Sequence, residues 1–227
     1  MSDIGAFIFD MDGVIVDSNP LHRVVWEEYN RRHGIETTEE MHRRMYGKRN
    51  DAIVRDFFGD ELNDEEVFAH GARKEELYRE MLKPGLGDAI VPGLESFLKR
   101  HSAIPAAVAT NAEPANVEFV LGESGLRPYF RIVVDGHQVQ NPKPHPEVFL
   151  RAADLLGVAP HACVVFEDSY AGVQAGVAAG MRVVALKTTH ADFPQAVLQI
   201  RDFEDPALEE WLAAQAQKIA GRLAPPV

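Results

Sequence analysis

Residues 6–14 read Ala6-Phe7-Ile8-Phe9-Asp10-Met11-Asp12-Gly13-Val14. Four apolar residues stop abruptly at two carboxylates spaced two apart, followed by a glycine. A continuous apolar run of this length suits a strand buried on both faces, as in a parallel sheet. Four more runs of the same kind follow: Ala106–Ala109, Ile132–Val134, Cys163–Phe166 and Val183–Leu186. Helical patterns alternate with them over Pro92–Arg100, Pro114–Leu121, Pro146–Leu156 and Ala171–Ala179, the last two stopped by Gly157 and Gly180. Strand then helix, repeated, predicts an α/β fold with a doubly wound, Rossmann-like parallel sheet.

The rhythm breaks once. Between the first strand and the second, residues 16–88 are helical in pattern and heavily charged, with Thr37-x-x-Glu40 and Asn63-x-x-Glu66 reading as helix starts. This predicts an all-α insert at 16–88 and a core formed by 1–15 plus 89–227. Trp26, Tyr29, Phe57 and Phe58 are expected to fill the insert's own core. Gly13 on one side and Gly85 and Gly87 on the other suit hinges, with the turning segments expected near Val14–Val16 and Gly85–Asp88. The tail Ala224-Pro225-Pro226-Val227 reads as frayed.

Of the 227 residues, 46% are hydrophobic and 26% charged, ordinary values for a globular chain. Lys and Arg number 23 against 35 Asp and Glu, a net charge of −12. That balance argues against nucleic-acid binding and against a polybasic membrane anchor. No apolar run reaches the roughly 18 residues of a membrane span, and Met1-Ser2-Asp3 lacks the basic start of a signal peptide. The expected location is the cytoplasm. The single cysteine, Cys163, excludes an intramolecular disulfide and reads as a buried strand residue.

In an open α/β sheet, ligands bind beyond the carboxyl ends of the strands. Those ends carry Asp10 and Asp12, then Thr110-Asn111, then Lys143-Pro144 after a short loop, then Glu167-Asp168-Ser169. Clustered carboxylates repel unless a hard divalent cation neutralises them, and an all-oxygen set selects Mg²⁺ over zinc. A metal-bound carboxylate stays ionised and can attack phosphorus. A lysine and a hydroxyl can then hold the equatorial oxygens where charge accumulates. The inventory suits phosphoryl transfer.

These four motifs, in this order and with a helical insert after the first, resemble the haloacid dehalogenase (HAD) superfamily. Ala171-Gly172-Val173-Gln174-Ala175-Gly176 and the stretch from Asp17 to His22 are similar to its β-phosphoglucomutase-like phosphatase branch. The resemblance covers essentially the whole chain and implies that the insert is a cap. It implies Asp10 as the nucleophile that forms an aspartyl-phosphate and Asp12 as general acid/base, with its backbone carbonyl on the metal. Thr110 and Asn111 become a phosphate-binding loop, and Lys143 a charge stabiliser. Asp168 becomes a metal ligand, and Glu167 a ligand directly or through water. His22, at the cap entrance, and Arg49, with Lys48 beside it, are substrate-binding candidates.

Mutase and phosphatase share these residues and differ in what reaches the phosphoryl-enzyme first. In β-phosphoglucomutases the cap loop reads G-x-S-R-x-x-S and the loop after the second strand S-x-S-K-N. Here the cap reads Gly47-Lys48-Arg49-Asn50-Asp51-Ala52, and Glu113 of Thr110-Asn111-Ala112-Glu113-Pro114 stands where the mutase has a lysine. A carboxylate there disfavours a second phosphate, so a phosphatase is expected, with a phosphosugar mutase as the alternative. A true dehalogenase does not need Asp12. A phospho-accepting receiver module, which would not be an enzyme, runs about half this length and lacks the insert. The sequence does not fix the oligomeric state, though a capped enzyme is compatible with a monomer, and without Mg²⁺ the acidic site should repel phosphate.

Overall fold

The computed structural model describes residues 4–45 and 48–223, with side chains to residue 215. Gly47 of the cap loop, the start at Met1–Asp3 and the tail at 224–227 lie outside the described residues.

The first strand, β1 (Ala6–Phe9), leads into helices α1 (Asn19–Arg32), α2 (Glu39–Met45), α3 (Asn50–Phe58) and α4 (Asp64–Leu82). A 3₁₀ turn, the short α5 (Leu86–Ala89) and α6 (Leu94–Arg100) return the chain to β2 (Ala106–Ala109). Then come α7 (Pro114–Glu123), β3 (Ile132–Val134), α8 (Glu147–Leu156), β4 (Cys163–Glu167), α9 (Tyr170–Ala178), β5 (Arg182–Leu186), β6 (Leu198–Ile200) and α10 (Pro206–Leu223). The six strands form one sheet in the order β3-β2-β1-β4-β5-β6, every neighbouring pair parallel. This is the doubly wound α/β fold with an inserted all-α cap. The strand order reverses between β1 and β4, which places the ligand crevice at their carboxyl ends.

β1, β2, β4 and β5 are apolar on both faces because both faces are covered. Phe7 and Phe9 point to one side, into a cluster with Phe97, Phe166 and Phe203, where Phe9 stacks on Phe166 at 4.7 Å. Ala6 and Ile8 point to the other, with Ala107, Ala109, Val165 and Phe149. Cys163 is buried and unpaired at the opposite end of β4 from its carboxylates, and burial pushes its thiol up to about 11.

Three expectations need correction. β6 is an additional strand: only three residues long and interrupted by Gln199, it lacks a continuous apolar run. Gln199 accepts from Phe193 N at 3.1 Å, so its polar side chain secures the sheet edge. The N-terminal turn of α2 is capped by Thr38, whose Oγ1 accepts from Met41 N at 3.2 Å. Thr37 instead accepts from Asn30 Nδ2 at 2.9 Å. Gly85–Asp88 lie in helical turns, and the extended strand of the connection comes just after them. There Asp17 N donates to Ala89 O at 2.7 Å and Val91 N to Ile15 O at 3.0 Å, so the two linkers run side by side.

In the cap, Trp26, Tyr29 and Phe57 are buried, and Phe58 packs against the same cluster. α4 starts at a reciprocal capping box, Asn63 Oδ1 accepting from Glu66 N at 3.0 Å and Glu66 Oε2 from Asn63 N at 2.9 Å. Asn63→Ala is expected to cost about 1 kcal/mol, read as a lower midpoint in urea with the m-value unchanged.

Candidate active site

Asp10 follows β1, and its backbone N–H donates to Phe166 O at 3.0 Å, which locks it against the end of β4. Lys143 Nζ reaches Asp10 Oδ1 at 2.8 Å and Glu167 Oε1 at 2.6 Å. All three side chains are buried. The ammonium also lies 4.8 Å above the Phe149 ring, which closes its apolar side. Burial works against the Lys143 charge, but attraction from Asp10 and Glu167 outweighs it and holds its pKa above the ordinary value.

Oxygens of Asp10, Glu167 and Asp168 lie within 4.8 Å of one another. Burial, opposed by Lys143 and reinforced by Glu167, pushes the Asp10 carboxyl up to about 7. Burial and the charges of Glu167 and Asp10 push Asp168 well above the usual carboxylate range. One ammonium therefore leaves the cluster with excess negative charge. Oxygen donors alone, without cysteine or histidine, fit a hard divalent cation.

Glu167 is fully buried. One oxygen accepts from Lys143, and the other accepts from Asp168 N at 2.8 Å, Ser169 N at 2.9 Å and Ser169 Oγ at 3.0 Å. Its side chain therefore anchors both the lysine and the loop that carries Asp168. Gly172 makes room for it, since a Cβ there would sit 1.8 Å from Glu167 Oε1. Asp168 Oδ2 accepts from Asn19 Nδ2 at 2.9 Å and from Thr189 Oγ1. Gly13, at φ +75°, is required on two counts, because a Cβ would also fall 1.9 Å from Asp168 Oδ2.

Asp12 lines the same cavity as Asp10 and Asp168 but has its own hydrogen-bond partners. Ser18 Oγ donates to its Oδ1 at 2.6 Å, and His22 Nε2 lies 3.3 Å from the same oxygen. Lys74 Nζ meets His22 Nδ1 at 2.9 Å. A lysine ammonium only donates, so Nδ1 accepts and the ring proton on Nε2 aims at Asp12. The imidazole is held flat against Tyr78, 4.2 Å between ring centroids. Burial alone would raise the Asp12 carboxyl, but the hydrogen bonds from His22 and Ser18 hold it below its ordinary value.

The chain continues from Lys74 to Glu75, whose Oε1 accepts from Lys74 at 2.8 Å and from Asn50 at 2.7 Å. Its Oε2 accepts from Asn116 of α7 at 2.6 Å, across the seam between cap and core.

One cavity, about 110 Å³, brings together Asp10, Asp12, His22, Arg49, Thr110, Asn111, Lys143 and Asp168, with Lys48 at its rim. Thr110 is buried, and its Oγ1 accepts from Ala112 N at 3.1 Å. Asn111 Oδ1 accepts from Lys143 N at 3.3 Å. Arg49 is partly exposed and lies 3.8 Å from Asp51. Of the expected site residues, Glu167 alone lies behind the wall.

Sequence reasoning missed Lys74, Glu75 and Asn116. Lys74-Glu75 sits in a charged run that resembles a solvated face. The signal was helical phase, since both share the buried stripe of α4 with Val67, Gly71, Tyr78 and Leu82.

A haloacid dehalogenase-like hydrolase family model matches residues 4–180. The chain is 36% identical over 182 residues to the Escherichia coli fructose-1-phosphate phosphatase YqaB, covering 79% of this chain and 95% of that protein. It is 32% identical over 210 residues to a β-phosphoglucomutase of Mycobacterium bovis, covering 80% of each. The fold superposes on a Clostridium difficile β-phosphoglucomutase with a TM-score of 0.83 at 26% identity, covering 96% of this chain and 99% of that one.

Burial raises the Glu75 carboxyl, but Lys74, His22 and the hydrogen bonds from Lys74 and Asn116 outweigh it and hold it at about 2, below its ordinary 4.5. A depressed folded-state pKa contributes stability above the unfolded value and loses it as pH falls through the folded one. Glu75→Gln should therefore flatten the acid limb of thermal stability between about pH 4.5 and 2, measured as Tm against pH beside the parent protein.

Proposed function

Because the chain belongs to the haloacid dehalogenase-like hydrolase family, we propose that it is a Mg²⁺-dependent phosphatase of small phosphomonoesters, sugar phosphates or similar metabolites, working through an aspartyl-phosphate. The observation that carries this reading is the buried Lys143 ammonium shared by Asp10 and Glu167, beside an Asp12 held by His22. It is an enzyme on these grounds, one that handles phosphoryl groups and not a receiver module.

In the proposed reaction an Asp10 oxygen attacks phosphorus, and the bond from phosphorus to the leaving oxygen breaks as that oxygen takes a proton from Asp12. Asp12 then removes a proton from water, whose oxygen attacks the same phosphorus. The bond to Asp10 breaks, and phosphate leaves. Lys143 and the loop at Thr110-Asn111 hold the phosphoryl oxygens. His22 Nε2–H orients the Asp12 carboxyl and lowers its pKa, which suits the base role in the second half. Asp10, Asp168 and the backbone carbonyl of Asp12 would hold Mg²⁺, with Glu167 reaching it through water. When bound, the cation neutralises the carboxylates and polarises the phosphoryl group.

Two observations favour water over a second sugar phosphate. The fructose-1-phosphate phosphatase is one of the relatives. Glu113 also lines the cavity, 2.6 Å from His137 Nε2, at the position of a mutase lysine. Arg49 is proposed to meet the distal end of the substrate. Residues 16–88 are proposed as the cap domain, moving on the paired linkers to admit substrate and exclude water. No described helix is long and apolar enough to cross a membrane, and the reading is of a cytoplasmic monomer that binds neither nucleic acid nor lipid.

The test is phosphate release from a panel of sugar phosphates with Mg²⁺. Asp10→Asn is expected to bring release to background, and Asp12→Ala to lower kcat about 10²–10⁴-fold. Isomerised product without free phosphate from β-glucose 1-phosphate would support the mutase instead. Chelation should abolish activity, and Mg²⁺ at 100 times its Kd should stabilise the fold by about 2.7 kcal/mol. An Asp10→Asn variant with full activity would overturn the mechanism.

A further inference from the structure

A second cavity, about 650 Å³, opens on the far side of Glu75, between α3 and α4 of the cap and the start of α7. It is several times the volume of the reaction cavity, about 110 Å³. Arg49, Asn50, Glu75 and Glu113 line both spaces, and of these Asn50 and Glu75 are hydrogen-bonded to each other. They stand on two cap helices and are joined to the core through Asn116, so one hydrogen-bonded unit spans the boundary. Asn50 Nδ2 and Asn116 Nδ2 donate to opposite oxygens of the same carboxylate, at 2.7 and 2.6 Å. Behind it, Arg79 of α4 donates to Asn116 Oδ1 at 2.8 Å. Gly71, one turn before Glu75, lets α4 approach Asn50 closely: a Cβ there would lie 3.4 Å from Asn50 Cβ.

The phosphoryl-transfer chemistry described above uses none of these contacts. Glu75 is nevertheless charged and buried, and its position is costly unless every lone pair is satisfied. We infer that Asn50, Glu75 and Asn116 form a polar wall that ends the substrate cavity and sets the upper size of the leaving group. Glu75 is the specificity-determining residue. This rests on the phosphatase reading, since it concerns what leaves phosphorus. The amide and carboxylate groups of the wall are bonded to one another, so the wall acts on the chamber by its volume. With the wall shortened, a longer leaving group gains the outer space, which is lined by Val67, Ala72 and Pro114 together with Arg55, Asp64 and Arg79.

The experiment compares kcat/KM for glycerol 1-phosphate and for trehalose 6-phosphate, with Mg²⁺, in the parent enzyme and in Glu75→Ala, Asn116→Ala and Glu75→Gln. The wall predicts that the ratio of long to short substrate rises at least about tenfold in both alanine variants. It stays near the parent value in Glu75→Gln, which keeps the volume and one acceptor. A purely structural role would lower both substrates together. An unchanged ratio in alanine variants that melt cooperatively overturns the wall and leaves the phosphatase reading standing. So does a parent enzyme that accepts both substrates equally. Should one alanine variant fail to fold, the other decides. A parent enzyme that releases phosphate from neither substrate, nor from the sugar-phosphate panel, overturns the phosphatase reading and the wall with it.

Discussion

Lys143 Nζ lies between Asp10 and Glu167 at 2.8 and 2.6 Å, and the loops at the carboxyl end of the sheet are arranged around that contact. Two like charges 4.8 Å apart, the spread of the carboxylate set, repel by about 3.5 kcal/mol at an effective dielectric near 20. One buried ammonium offsets part of this and leaves the remainder for a divalent cation. The same contact ties three sequence-distant segments together. Glu167 extends it through the Asp168 and Ser169 amides, and so the loop after β4 is placed by an ion pair as much as by the strand.

The net charge of −12 takes on a local meaning beside this geometry. On the proposed reading, an acidic protein draws an anionic substrate only through groups inside the crevice: Lys143, the amides after Thr110, a bound cation and Arg49. Attraction of this kind is short-ranged and depends on the cavity being shut from water. The helical insert meets the core through polar contacts. Asp12, His22, Lys74, Glu75 and Asn116 form one continuous chain from core to cap and back to core. Buried ion pairs of this sort add little net stability, but they tolerate few alternative arrangements. Such a chain suits a closed state that must form in one register.

Much of the fold was legible because parallel strands covered on both faces write themselves as uninterrupted apolar runs. Asp10, Lys143, Glu167 and Asp168 could be picked out because each follows such a run, and carboxyl ends of parallel strands converge. β6 was not legible, since a three-residue edge strand with Gln199 in it carries no such run. Thr37 and Thr38 are chemically equivalent, and only the path of the chain decides which one caps α2. Lys74 and Glu75 were hidden because charge on a helix ordinarily means solvent. Their phase on α4 pointed inward, but a partner for a buried Lys-Glu pair has no local signature.

The amino-acid sequence by itself determined five of the six strands, the insertion of a helical segment after the first strand and the set of carboxylates and lysine at the strand ends. These depend on periodicity and on residues adjacent in the chain. Only the tertiary structure decided which oxygen meets which proton. His22 is oriented by Lys74 from 52 positions away, Asn116 meets Glu75 across the seam at a separation of 41, and Gly13 yields its side-chain space to Asp168. Hydrogen bonds and ion pairs act over about 3 Å, and no pattern along the chain specifies which distant groups folding will bring within that reach.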